Sequence, residues 1–98
     1  MVKKIKWRKK ALQFVKETAQ YLEQEFSQQA ADNFVDAVTK AVAKAVKNPE
    51  TYRKAAKTKS VHYLNVDKNR KMFYRLSGTT LIVSAFFDAR QDPKKSPF

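Results

Sequence analysis

VHYLNVDKNRKMFYRLSGTTLIVSAFFD, residues 61–88, decides the fold. The stretch holds three runs that read as strands, parted by two turns. Val61–Val66 alternates with period two, Asp67–Arg70 is a turn, and Lys71–Leu76 alternates again. Ser77-Gly78-Thr79 is a tight turn built on the chain's single glycine. Thr80–Asp88 is almost continuously apolar (Leu81, Ile82, Val83, Ala85, Phe86, Phe87), which predicts a central strand covered on both faces. Three strands with turns this short form an antiparallel meander.

Upstream, the period changes to that of a helix. Ala11, Leu12, Val15, Ala19, Leu22 and Phe26 follow three-four spacing, widened by Phe14 and Tyr21, and predict a helix over 9–26. Ser27 suits the N-cap of a second helix. That helix runs from about Gln29 to Lys47, with Ala30, Phe34, Val38, Ala41, Val42 and Ala45 on its inner face. Lys44 and Lys47 favour its C-terminal end, and Asn48-Pro49 stops it. So short a connection makes the two helices antiparallel. Val2–Trp7 alternates loosely, with Ile5 and Trp7 on one face and Lys4 and Lys6 on the other, as in an edge strand. Glu50–Ser60 is basic and reads as a loop. The expected architecture is α+β: an N-terminal strand, an antiparallel helical hairpin and a three-stranded antiparallel meander. The helices cover one face of a four-stranded sheet. Residues 1–98 form one domain, with 89–98 as a C-terminal tail.

Charge is segregated within this plan. The net charge is +12 over 98 residues. Residues 1–16 hold seven basic side chains and no acid; residues 17–39 hold five acids and no Lys or Arg; residues 40–98 hold fourteen basic and four acidic side chains. Such a field steers polyanions or acidic proteins toward one side of the molecule. The chain has no cysteine, which excludes disulfides and thiolate metal sites. With no apolar run after the basic N-terminus and none long enough to span a membrane, a cytoplasmic location is expected.

Alternation divides the side chains between two faces. Leu64, Val66, Met72, Tyr74 and Leu76 should meet the helices. Tyr63, Asn65, Lys71, Phe73 and Arg75 should occupy the open face, where cations interleave with rings. Cations of this kind bind phosphates and rings stack on unpaired bases. Tyr63 and Phe73, with the basic loop side chains Arg53, Lys54, Lys57 and Lys59, are therefore the candidate nucleic-acid contacts. His62, the only histidine, falls on the covered side, where a structural role is expected. Turned outward, it would serve as a general base toward a ribose 2′-hydroxyl. No phosphate loop and no metal-ligand cluster is present, so neither a cofactor nor a metal is expected.

Several segments, in this order and spacing, resemble the RelE/ParE superfamily of toxins from bacterial type II toxin–antitoxin pairs. They are Lys4-Ile5-Lys6-Trp7 with Lys10-Ala11, Tyr21-Leu22, Asn48-Pro49-Glu50, Lys71-Met72-Phe73-Tyr74-Arg75-Leu76 and Phe87-Asp88-Ala89-Arg90-Gln91-Asp92-Pro93. The resemblance implies a growth inhibitor neutralised by a cognate antitoxin, for which the basic charge predicts an acidic segment. It also implies one of two targets. RelE-like members cleave mRNA on the ribosome without a metal; ParE-like members poison DNA gyrase. In the first case Lys71, Arg75 and Arg90 are the candidate catalytic cations around the scissile phosphate, with His62 a further candidate. Lys71 is similar in position to a family arginine that opens the third strand, and Arg90 to the arginine that follows the last strand. Tyr63 and Asn65 stand where RelE-like enzymes carry lysines, and the C-terminal tyrosine of those enzymes has no counterpart near Ser96 and Phe98. Arg90 has a second reading, as a brace paired with Asp88 or Asp92. The alternative to a toxin is a non-toxic or degenerate nucleic-acid-binding module on the same fold.

Overall fold

Two apolar stripes at three-four spacing set the helical layer. The computed structural model describes residues 1–50, 52–55 and 58–90, the side chains of residues 53–55, 58 and 59 excepted. After strand β1 (Lys4–Trp7) comes α1 (Lys9–Glu25), which ends as Phe26 and Ser27 both donate their N–H to the Leu22 carbonyl. Ser27 then opens α2 (Gln28–Lys47): its Oγ accepts the Ala30 N–H at 3.0 Å, satisfying one of the free donors of the first turn. Alanines line the contact between these helices and the core. Ala11, Ala31, Ala41 and Ala45 are all buried, and their small side chains let the backbones approach closely.

The rest of the chain is β2 (Arg53–Ala55), β3 (Thr58–Asn65), β4 (Arg70–Ser77) and β5 (Thr80–Asp88). They join β1 in one five-stranded sheet of order β1-β5-β4-β3-β2. The β3–β4–β5 meander is antiparallel, as its turns require, and Gly78 supplies the positive φ of 59° in the second turn. β1 lies parallel to β5, with Lys4 opposite Thr80 and Trp7 opposite Val83. A bulge sets Phe73 opposite Ala85 and Tyr74 opposite Val83, so Ser84 is the extra residue on β5.

The predicted covered face is the face that packs on the helices. Leu64, Met72, Tyr74, Leu81, Val83 and Phe86 are buried there with Phe34, Val38 and Ala41 of α2, flanked by half-buried Val66 and Leu76. Phe86 is stacked between Trp7 and Phe14, at ring separations of 6.0 and 5.3 Å. Burying a side chain of this size contributes about 1.5–3 kcal/mol. This aromatic stack ties β1, α1 and β5 together.

Three expectations are corrected. Glu50–Ser60 is not simply a loop: it contains β2 and the start of β3. A short edge strand is specified by its backbone pairing with a neighbour rather than by apolar alternation, so no period marks it. β5 is an interior strand, but only its helix side is fully covered; Ile82, Ala85 and Phe87 on the other side are half-buried. The α1 stripe is also narrower than its spacing suggests. Leu12, Tyr21 and Phe26 remain exposed, while Phe14, at the stripe's margin, is packed on Phe86.

Candidate functional site

The open face follows from the register. Lys6, Ile82, Arg75 and Val61 lie in one row across β1, β5, β4 and β3; Ala85, Phe73 and Tyr63 form the next; Phe87, Lys71 and Asn65 form the third. Val61 and Phe73 are buried within this face, beside Tyr63, Ala85 and Phe87. The Tyr63 and Phe73 rings lie 5.8 Å apart, and Lys71 Nζ stands 4.9 Å over the Tyr63 ring. The strand positions of this face, among the described residues, include no carboxylate. The Arg75 Nε is buried and has no hydrogen-bond partner.

The candidate cations fall in two places. Lys71 and Arg75 share a strand and a face but are four residues apart, about 13 Å along the strand. Arg90 belongs elsewhere. Its Nε donates to Asp88 Oδ1 at 3.1 Å and its Nη2 to Asp88 Oδ2 at 2.8 Å, and its backbone N–H also reaches Oδ1. Asp88 alternates with Phe86 and so faces the helices, at the end of the sheet away from Gly78. The Asp88 carboxylate is shared with Arg70, whose Nε stands 3.7 Å from Oδ2. Arg70 is itself buried. Its Nη1 donates to Asp67 Oδ2 at 3.0 Å, and its guanidinium lies 5.1 Å over the Phe34 ring of α2. Asp67 also accepts the N–H groups of Asn69 and Arg70, closing the β3–β4 turn. The side-chain hydrogen bond from Arg90 holds the Asp88 carboxyl below the usual carboxylate range, against the opposing effect of burial. The same bond raises the Arg90 guanidinium.

His62 is turned inward. It is buried, stacks on Tyr74 at 5.3 Å, and its Nδ1 is 3.0 Å from the Tyr52 carbonyl. Tyr74 Oη donates to the Pro49 carbonyl at 2.7 Å, and burial, then the neighbouring Tyr52, pushes its phenol up to about 12. These two rings fasten the connection between α2 and β2 to the sheet.

Lys57 and Asp92 lie outside the described residues, as do the side chains of Arg53, Lys54 and Lys59; the register sets Arg53 opposite Tyr63 and Lys54 opposite His62. Sequence reasoning missed Arg70, placed in a turn. The available signal was Asp67 three residues before an arginine that opens a strand, the spacing of a closed turn. Among the described residues no group of three or more His, Asp or Glu side chains is arranged to hold a metal, and no helix is long and apolar enough to cross a membrane.

A strand, a helical hairpin and a meander whose last strand pairs in parallel with the first make up a fold shared with solved toxins of toxin–antitoxin systems. The sequence matches the ParE toxin of type II toxin–antitoxin systems over residues 5–93, and the chain belongs to that family. Solved structures agree on the fold at low identity. The chromosomal ParDE toxin–antitoxin system of P. aeruginosa contains a chain similar with a TM-score of 0.71 at 12% identity, over 87% of this chain and 94% of that one. A YoeB/ParE toxin from Agrobacterium tumefaciens is similar with a TM-score of 0.64 at 12% identity, over 88% and 98%. The YoeB dimer of Staphylococcus aureus gives 0.61 at 11% identity, over 86% and 93%. No curated protein matches the sequence.

Proposed function

We propose that this toxin halts growth by binding a protein target, DNA gyrase, rather than by cutting RNA, and that a cognate antitoxin carrying an acidic segment neutralises it. The observation that carries this reading is that Arg90 is already paired with Asp88, apart from Lys71 and Arg75 on the open face. Lys71 and Arg75 lie on the open face, with backbones about 13 Å apart along the strand, whereas Arg90 is held by Asp88 toward the helical side. Phosphoester cleavage by charge stabilisation needs its donors within hydrogen-bond reach of one group. The proton-transfer candidate His62 faces the Tyr52 carbonyl inside the protein. The match to the ParE family points the same way.

Expression without an antitoxin tests the proposal. DNA-damage signalling should precede any loss of translation, and the purified toxin should inhibit gyrase supercoiling. Translation arrest at the earliest times, with transcripts cut within codons, would overturn it. That outcome belongs to a second reading, ribosome-dependent cleavage, which is favoured by the carboxylate-free open face and the Lys71–Tyr63 contact. Under that reading, Lys71→Ala should abolish cleavage. Salt-sensitive binding to plain DNA or RNA without growth arrest would instead identify a non-toxic nucleic-acid-binding module.

A further inference from the structure

We propose that Asp88 is a positioning residue, which holds the Arg90 guanidinium side-on so that its outer Nη edge receives a carboxylate of the protein target. The inference rests on the reading above in assuming a protein target. Its basis is the geometry of one shared carboxylate. A guanidinium has five N–H donors in a rigid plane. Asp88 engages two of them, one on Nε and one on Nη2. The other three remain, and the parallel pair on Nη1 and Nη2 is the edge that takes a carboxylate through two hydrogen bonds. The Arg90 side chain is 54% exposed while that of Asp88 is 13% exposed, so the anchor is inside and the receptor outside.

The anchor is unusually well fixed. Asp88 also meets Arg70, and Arg70 is locked by Asp67 and lies over Phe34. Asp67, Arg70, Asp88 and Arg90 thus form a run of alternating charges from the β3–β4 turn to the end of β5. Such a run has no net charge, so Arg90 contributes contact geometry rather than long-range attraction.

The surroundings favour a protein carboxylate over a nucleic-acid backbone. Tyr21 belongs to α1, the helix that packs on β5. It is 51% exposed and packs edge-on against Phe26, which is 65% exposed, at 6.2 Å. Exposed aromatic rings on and just after the helix that covers β5, together with an exposed arginine after that strand, have the composition of protein-binding hot spots. Glu17 and Glu25, one helical turn to either side of Tyr21, share its face and repel a run of phosphates. A single carboxylate fixed by two hydrogen bonds tolerates them better.

The test is a double-mutant cycle in the full chain, read by growth arrest at matched expression and by inhibition of purified gyrase. Arg90→Ala and Arg90→Lys should both lose activity, since lysine lacks the planar edge. Asp88→Asn should stay folded by circular dichroism and lose about tenfold in potency, and adding Arg90→Ala to it should cost no more than Arg90→Ala alone. Additive losses, or full activity in Asp88→Asn, would overturn the proposal. So would full activity in Arg90→Lys, which tests the edge even if Asp88→Asn fails to fold. If Arg90→Ala instead weakened binding to an RNA oligonucleotide and reduced its salt dependence, the carboxylate assignment would fall. Growth arrest reports independently of the target. A non-additive cycle with gyrase unaffected would support the positioning role and sink the gyrase reading; an additive cycle with gyrase inhibited would do the reverse.

Discussion

Replacing Tyr74 by Phe removes one oxygen from the centre of the core. Tyr74 is fully buried, and its hydroxyl donates to the Pro49 carbonyl at 2.7 Å. The ring and its stack on His62 survive the change. What is lost is one hydrogen bond, and the Pro49 carbonyl is left without that donor. Such a loss costs about 0.5–1.5 kcal/mol, rising to about 1–3 where the orphaned group is shut off from water. Pro49 is half-buried, so the expected cost at pH 7 is about 1–2 kcal/mol. For a domain this size that lowers Tm by about 4–12 °C. The alkaline limb gives a second handle. The phenol is raised from 10.0 to about 12 in the folded state, so folding favours its protonated form. The associated stability is fully present below pH 10 and is lost as the pH rises through about 12. The loss amounts to about 2 kcal/mol by pH 12. Tyr74→Phe lacks this loss, while every other titrating group is common to both proteins. Urea denaturation followed by circular dichroism from pH 7 to 12 should therefore show the two stabilities converging by pH 12. Equal stabilities at pH 7, or a constant gap between the proteins up to pH 12, would refute the reasoning.

Arg70→Met should destabilise by about 2–4 kcal/mol, because it leaves Asp88 and Asp67 without their buried counter-ion while Arg90 retains part of the compensation for Asp88; a change below 1 kcal/mol in urea denaturation would contradict the network. Ser27→Ala should cost about 1 kcal/mol through loss of the α2 cap, measured the same way. Asp88 is held ionised by its arginines, so its contribution is present above the unfolded carboxylate range and is lost as the pH falls through its depressed value. Asp88→Asn should accordingly flatten the acid limb of stability below about pH 4.

Burial on one side explains what was legible in the sequence. Leu64, Met72 and Tyr74 face a helical layer, so their alternation is imposed by the core and could be read without coordinates. The same holds for Phe34, Val38 and Ala41 on α2. β2 has no such signature because its identity lies in the pairing of Arg53 with Tyr63 and Lys54 with His62, which is non-local. For the candidate residues, the face of the sheet was legible and the partners mostly were not. Alternation put Lys71 and Arg75 on one face. For Arg90, two residues past the last strand, the neighbouring Asp88 and Asp92 offered a brace, and Asp88 supplies it; that this pair faces the helices was not legible. Arg70 escaped notice because a basic residue in a polar turn is ordinarily solvated. Its burial depends on Asp88 of β5 and Phe34 of α2, residues distant in the chain.

The parallel pairing of β1 with β5 also bears on when folding can finish. Lys4 meets Thr80 and Trp7 meets Val83, so the first strand made waits for the last. The aromatic stack of Trp7, Phe86 and Phe14 is likewise incomplete until Phe86 has been synthesised. Contacts spanning so much of the chain slow folding, because a long loop must close before they can form. A growing chain therefore cannot complete its sheet until β5 has been made. Pairing of the first strand with the last thus makes completion of the sheet a late event, set by synthesis and folding together.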